Sequence, residues 1–113
     1  MIIIGIDPGS VITGYAIITK TGAPYGSQEQ GLKVIDFGCI ITDKFDTTGE
    51  RLKKIYKEVT KLIEKYKPDV MSIETLFYFK NLKTIMPVSQ TKGVILLAAA
   101  EKKLLTLEFT PLQ

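Results

Sequence analysis

The sequence predicts an α/β layer fold with a five-stranded mixed sheet. Three observations carry that prediction. Short apolar runs at residues 1–7 and 69–74 each end on a carboxylate. A long stretch after residue 50 repeats apolar residues at three- and four-residue steps, the signature of an amphipathic helix. The elements also follow one another as strand, strand, strand, helix, strand, helix, strand, which a single open sheet with crossover helices accommodates.

Residues 1–7, rich in isoleucine and closed by Pro8-Gly9, read as a buried strand and a tight turn. Residues 12–20 continue after only that turn, so the two strands form an antiparallel hairpin. Residues 21–31 are rich in Gly, Ser, Gln and Pro and read as a loop. Residues 32–42 make a third strand, interrupted by Gly38, and complete a three-strand meander. Thr47 followed by Glu50 fits a capping box. In the helix it opens, Leu52, Ile55, Tyr56, Val59, Leu62, Ile63 and Tyr66 form one stripe. Lys53, Lys54, Lys57, Lys61 and Lys65 decorate a solvated back, and Pro68 stops the helix. Residues 69–74 form the fourth strand. A second helix is expected over 83–103, with Pro87 in its first turn or at its true start. Residues 94–100 are apolar nearly all round, which predicts cover on both sides, either by the sheet or by a partner chain. Residues 104–110 make the fifth strand. Right-handed crossovers place strands one, four and five parallel, with the hairpin on the far side of strand one.

The 113 residues suit one domain or part of one. Apolar content of 45% and charged content of 24% are those of an ordinary soluble chain. A net charge of +3 permits nucleic acid as a partner without requiring it. Arg51 is the only arginine, so contact with DNA would rest on phosphate and shape more than on bidentate base readout. The lone Cys39 sits in an apolar strand, is expected to be a buried thiol, and allows no disulfide framework. No signal peptide is evident, and no apolar run reaches the roughly 20 residues that span a bilayer. The expected location is cytoplasmic, with no membrane partner. The absence of histidine excludes imidazole-dependent zinc sites and triads from this chain.

Asp7 and Glu74 carry the chemistry. The topology brings both to the carboxyl edge of adjacent strands, where open α/β sheets bind ligands. A carboxylate buried there would need a positive partner. Neighbouring strands lie about 4.8 Å apart, so the pair can share a divalent cation or flank two cations about 3.5–4 Å apart. Magnesium takes one or two carboxylates and leaves its other positions to water and substrate phosphate. That is the composition of a phosphodiester-cleaving site. The plainer alternative is that Asp7 caps its Pro-Gly turn and Glu74 merely ends a strand. Two carboxylates are also fewer than a two-metal site usually holds. Asp7, Gly9 and Ser10 fit, in addition, the phosphate-holding hairpin of actin-like ATPases and sugar kinases, but those proteins need a duplicated domain for which this chain is too short.

Gly5-Ile-Asp-Pro-Gly-Ser10 with Thr13-Gly-Tyr15 resembles the opening of the RuvC family of Holliday-junction resolvases. So do Glu50-Arg-Leu52 with Ile55-Tyr56, Ile73-Glu74 followed by Phe77 and Lys80-Asn81, and Gln90 with Gly93-Val94. The blocks run in order through the chain. The resemblance implies an RNase H-like fold over residues 1–113, a homodimer through the second helix, and a crossover junction endodeoxyribonuclease acting on four-way DNA junctions in recombination and repair. It implies magnesium as cofactor, with manganese as a substitute, and a branch-migration motor as a further partner. It makes Asp7 and Glu74 two of four acidic metal ligands and Phe77 the aromatic residue that stacks on bases near the crossover. Lys80, Asn81 and Lys83 become candidate DNA contacts. The family's other acidic ligands lie on a final helix beyond the fifth strand, and the chain stops at Gln113. The domain is therefore expected to be C-terminally incomplete, impaired in cleavage and exposed on one face of its sheet. Two alternatives stand beside this reading: a YqgF-type RNase H-like nuclease of ribosomal RNA processing, and a non-catalytic junction-binding or dimerisation module.

Overall fold

The computed structural model describes residues 1–20, 31–75 and 82–109. The loop expected at 21–31 lies outside the described residues apart from Gly31, as does Thr110 at the expected end of the fifth strand. Seven elements follow in the predicted order: β1 (Ile2–Asp7), β2 (Ile12–Lys20), β3 (Leu32–Ile41), α1 (Thr48–Tyr66), β4 (Val70–Glu74), α2 (Leu82–Glu101) and β5 (Leu105–Phe109). The sheet order is β3-β2-β1-β4-β5. Strands β1, β2 and β3 form an antiparallel meander, and β1, β4 and β5 run parallel. The result is the expected α/β mixed sheet.

Strand alternation creates the core. Ile4, Ile6, Ile17, Met71 and Ile73 turn to one face of the sheet and meet Ile55, Val59 and Ile63 of α1 and Ile95, Ala98 and Ala99 of α2. α1 begins as the sequence dictates. The Glu50 amide donates to Thr47 Oγ1 at 3.1 Å, and the Thr47 amide donates back to Glu50 Oε2 at 3.3 Å. It ends on Lys67, whose left-handed backbone (φ 48°) returns its amide to the Ile63 carbonyl, just before Pro68. The five lysines on its back are exposed.

Two expectations require correction, the place of Pro87 and the burial of Cys39. Pro87 lies inside α2, in its second turn, because the helix starts at Leu82. Its missing N–H forfeits only the bond to the carbonyl of Lys83 in the first turn. Within the single chain α2 packs through Ile95, Ala98 and Ala99, whereas Met86 and Leu97 are exposed. Cys39 is exposed rather than buried, because its place opposite Gly14 puts it on the sheet face away from the helices. The interruption at Gly38 is a packing slot: a Cβ there would lie 2.8 Å from the Tyr15 hydroxyl, whose ring covers the glycine. β3 also carries a bulge that the sequence did not announce, since Ile17 faces Asp36 and Ile18 faces Val34, leaving Ile35 without a partner in the ladder.

Among the described residues no helix covers the other sheet face. Its apolar side chains, including Phe37 (75% exposed), Leu105 (63%) and Leu107 (56%), meet water. A patch of this kind drives association. In sedimentation velocity over a concentration series, larger species are expected to grow with concentration and to diminish in the Phe37→Lys/Leu107→Lys double variant.

Candidate metal centre and nucleic-acid interface

The β1–β4 ladder runs in constant register from Ile3 opposite Val70 to Ile6 opposite Ile73. The next residues along the two strands are Asp7 and Glu74. Ile6 and Ile73 are buried on the helix side, so period-two alternation turns the two carboxylates to the opposite face, on neighbouring strands. Both line one open cavity of about 310 Å³. Small residues make its floor: Gly5, Gly14 and Ser72 share that face. Gly14 stands directly opposite Asp7. Phe109, opposite Glu74 on β5, forms a side wall.

Asp7 is exposed and Glu74 half-buried. Both therefore keep access to water, and the full desolvation that would demand a positive partner does not arise. Two hard oxygen donors side by side suit a magnesium-like cation, which would draw its other positions from water and a phosphate. Among the described residues no group of three or more His, Cys, Asp or Glu side chains converges, so the pair stands without further acidic ligands there.

The backbone on either side of the pair is tightly specified. The turn after Asp7 needs Gly9, since a Cβ there would sit 1.9 Å from the Ile12 carbonyl oxygen. The Gly9 amide reaches Thr13 Oγ1 at 3.4 Å. Thr42 donates to the Val11 carbonyl from its amide at 2.9 Å and its hydroxyl at 3.0 Å. Arg51 Nη1 donates to the Ser10 carbonyl at 3.2 Å. After Glu74, the amide of the buried Thr75 donates to the Phe109 carbonyl at 2.7 Å. Glu108 beside it is ion-paired with Lys92 of α2.

Of the candidate DNA-binding residues, Phe77, Lys80 and Asn81 lie outside the described residues. Lys83 is exposed on the first turn of α2. Sequence reasoning missed Arg51 as a structural node. It is 7% exposed, and burial pushes its pKa below the ordinary guanidinium value. The available signal was its place as the lone arginine on the otherwise apolar stripe of α1. Ser72 and Phe109 were missed as well, although strand periodicity puts both beside Glu74.

The open-edged mixed sheet with carboxylates at the ends of its first and fourth strands defines a protein of the RNase H-like class. The family model described as "Crossover junction endodeoxyribonuclease RuvC" matches residues 3–113, and the chain belongs to that family. It is 45% identical over 113 residues to the crossover junction endodeoxyribonuclease RuvC of Fusobacterium nucleatum subsp. nucleatum, covering all of this chain and 56% of that protein. It is also 45% identical to the protein of the same name from Halothermothrix orenii, covering 64% of it. The chain thus spans a little over half to about two thirds of these relatives. The T. thermophilus RuvC solved in complex with a Holliday junction substrate superposes with a TM-score of 0.87 at 20% identity, covering 99% of this chain and 67% of that one.

Because the Gly9 turn has no room for a side chain, Gly9→Ala is expected to destabilise the fold by about 2 kcal/mol, read as a lower urea midpoint at unchanged slope.

Proposed function

We propose that this chain is part of the RNase H-like nuclease domain of a cytoplasmic endonuclease that resolves four-way DNA junctions in recombination and repair by metal-dependent phosphodiester hydrolysis. The observation that carries the reading is the Asp7–Glu74 pair on adjoining strand ends; family membership supports it. Asp7 and Glu74 hold magnesium, with manganese as a substitute. A cation bound there supplies charge neutralisation at the scissile phosphate and an activated water. Lys83, with Lys80 and Asn81, takes the phosphate backbone as point contacts. Phe77 stacks on a base freed at the branch point, an interaction worth roughly 1–3 kcal/mol. The exposed Met86 and Leu97 of α2 suit a twofold dimer, which sets two sites to nick two strands symmetrically. A branch-migration motor is the further partner.

Two carboxylates are fewer than a two-metal reaction uses, so this chain is expected to bind four-way junctions in preference to duplex and to nick them weakly. In gel-shift and cleavage assays run in parallel, Asp7→Asn should keep junction binding and lose Mg²⁺-dependent nicking. Nicking retained by Asp7→Asn would remove Asp7 from the chemistry. Selective binding without nicking even in manganese would favour the non-catalytic junction-binding module. Preference for ribosomal RNA precursors over junctions would turn the reading to the YqgF type, against which Pro8 and the Phe77-x-x-Lys80-Asn81 block speak. Leu97→Lys should shift the protein from dimer to monomer in sedimentation equilibrium.

A further inference from the structure

Arg51 has an arrangement that stability alone does not require. It is buried, yet among the described residues no carboxylate pairs with it. Its guanidinium is held by uncharged acceptors instead. Nη1 donates to the Ser10 carbonyl at 3.2 Å and to Thr91 Oγ1 at 2.6 Å. Nη2 donates to Gln90 Oε1 at 3.2 Å and to the Pro87 carbonyl at 3.4 Å. The Thr91 hydroxyl in turn donates to the Pro87 carbonyl at 3.1 Å. A methionine of similar volume would fill the space without desolvating a charge. The planar fork does what methionine cannot, which is to fix several acceptors in one geometry. Those acceptors belong to two separate places, the proline-bearing turn of α2 and the third residue after Asp7.

We infer that Arg51 is a positioning residue: it ties the Pro8–Val11 turn to α2 and thereby sets where Asp7 presents its carboxylate to the cation. The inference rests on the reading of Asp7 and Glu74 as metal ligands. Ser10 is the turn residue Arg51 grips, while Val11 is held independently by Thr42 and Gly9 by Thr13. Releasing Ser10 therefore leaves the hairpin folded but frees the segment that joins Asp7 to its anchors. Groups hydrogen-bonded directly to a metal ligand are worth about 10–100-fold in metal affinity; Arg51 acts through the backbone of residues 8–10, so its share lies below that range.

The test is Mn²⁺ binding by the chain, read from the loss of the free-ion electron paramagnetic resonance signal, with urea midpoints measured on the same samples. Arg51→Met should weaken Mn²⁺ binding about threefold, below the range for a direct partner of the ligand. Thr91→Val, which removes one acceptor and leaves the guanidinium, should weaken it in the same direction to a smaller degree, and Arg51→Lys should recover part of the loss. Tyr66→Phe breaks the 2.5 Å hydrogen bond to Asp36 at the far end of α1; it should lower the urea midpoint and leave Mn²⁺ binding unchanged. If Arg51→Met and Thr91→Val behave like Tyr66→Phe, with stability lost and affinity kept, Arg51 is a structural arginine and the inference is overturned. Should Arg51→Met fail to fold, Thr91→Val decides. Asp7→Asn runs alongside. If it binds Mn²⁺ as the parent does, the metal reading falls and the inference falls with it. If it loses the ion while the Arg51 and Thr91 variants do not, only the inference falls.

Discussion

The structure depends on the register of β1 against β4. That register is fixed by the burial of four side chains: Ile4 and Ile6 on one strand, Met71 and Ile73 on the other, none more than 4% exposed. In strands of period two, a slip of one residue would carry all four from the core to water. The same slip would drive Asp7 or Glu74 into the core, where an unpaired carboxylate is strongly disfavoured. Apolar burial and carboxylate placement are thus one constraint seen from the two faces of the sheet. The residues that stabilise the fold are interleaved with those that form the site, and neither set can shift without the other.

The interleaving explains why so much of the site was legible in the sequence. An apolar run that ends on a carboxylate states which face is core and which residue leaves at the edge, and two such runs at parallel crossover spacing state that the edges coincide. The capping box at Thr47 and Glu50 was equally local, since both partners lie within one turn. What the sequence concealed depends on contacts between distant segments. Cys39 sits among apolar neighbours, and only its pairing with Gly14 shows that it faces outward. Arg51 stands on the apolar stripe of α1, but nothing local names its partners, which are 36 to 41 residues away. Pro87 read as a helix start because local rules favour proline there; inside α2 its carbonyl has instead become an acceptor for a side chain from α1.

The open face has a composition of its own. Near the carboxylates it is lined by Gly5, Gly14, Ala16 and Ser72, and farther out by large apolar side chains such as Phe37, Leu105 and Leu107. Small residues at the centre of a sheet give up packing energy, which a strand interior seldom does without a reason such as close approach by another group. Here they keep the floor low beside Asp7 and Glu74, which leaves open space in front of both carboxylates. The apolar rim has no such need for space and retains the side chains of an ordinary layered sheet.

The two halves of the site are not tied to α2 equally firmly. On the Asp7 side, the tie to α2 runs through a buried guanidinium, and hydrogen bonds to charged groups contribute about 1.5–3 kcal/mol. On the Glu74 side, the tie to α2 runs through the Lys92–Glu108 ion pair, whose carboxylate partner is 49% exposed. Solvent screens such a pair to roughly 0–1 kcal/mol. The Thr75 hydroxyl reaches Glu108 only at 3.5 Å, at the outer limit of a hydrogen bond. The link to α2 is therefore the stronger on the Asp7 side, while on the Glu74 side the sheet itself holds the backbone, through the ladder to β5 and the Thr75 amide on the Phe109 carbonyl at 2.7 Å. Each carboxylate thus stands on a held backbone, one anchored across the helix layer and the other along the sheet, and both side chains line the same open cavity.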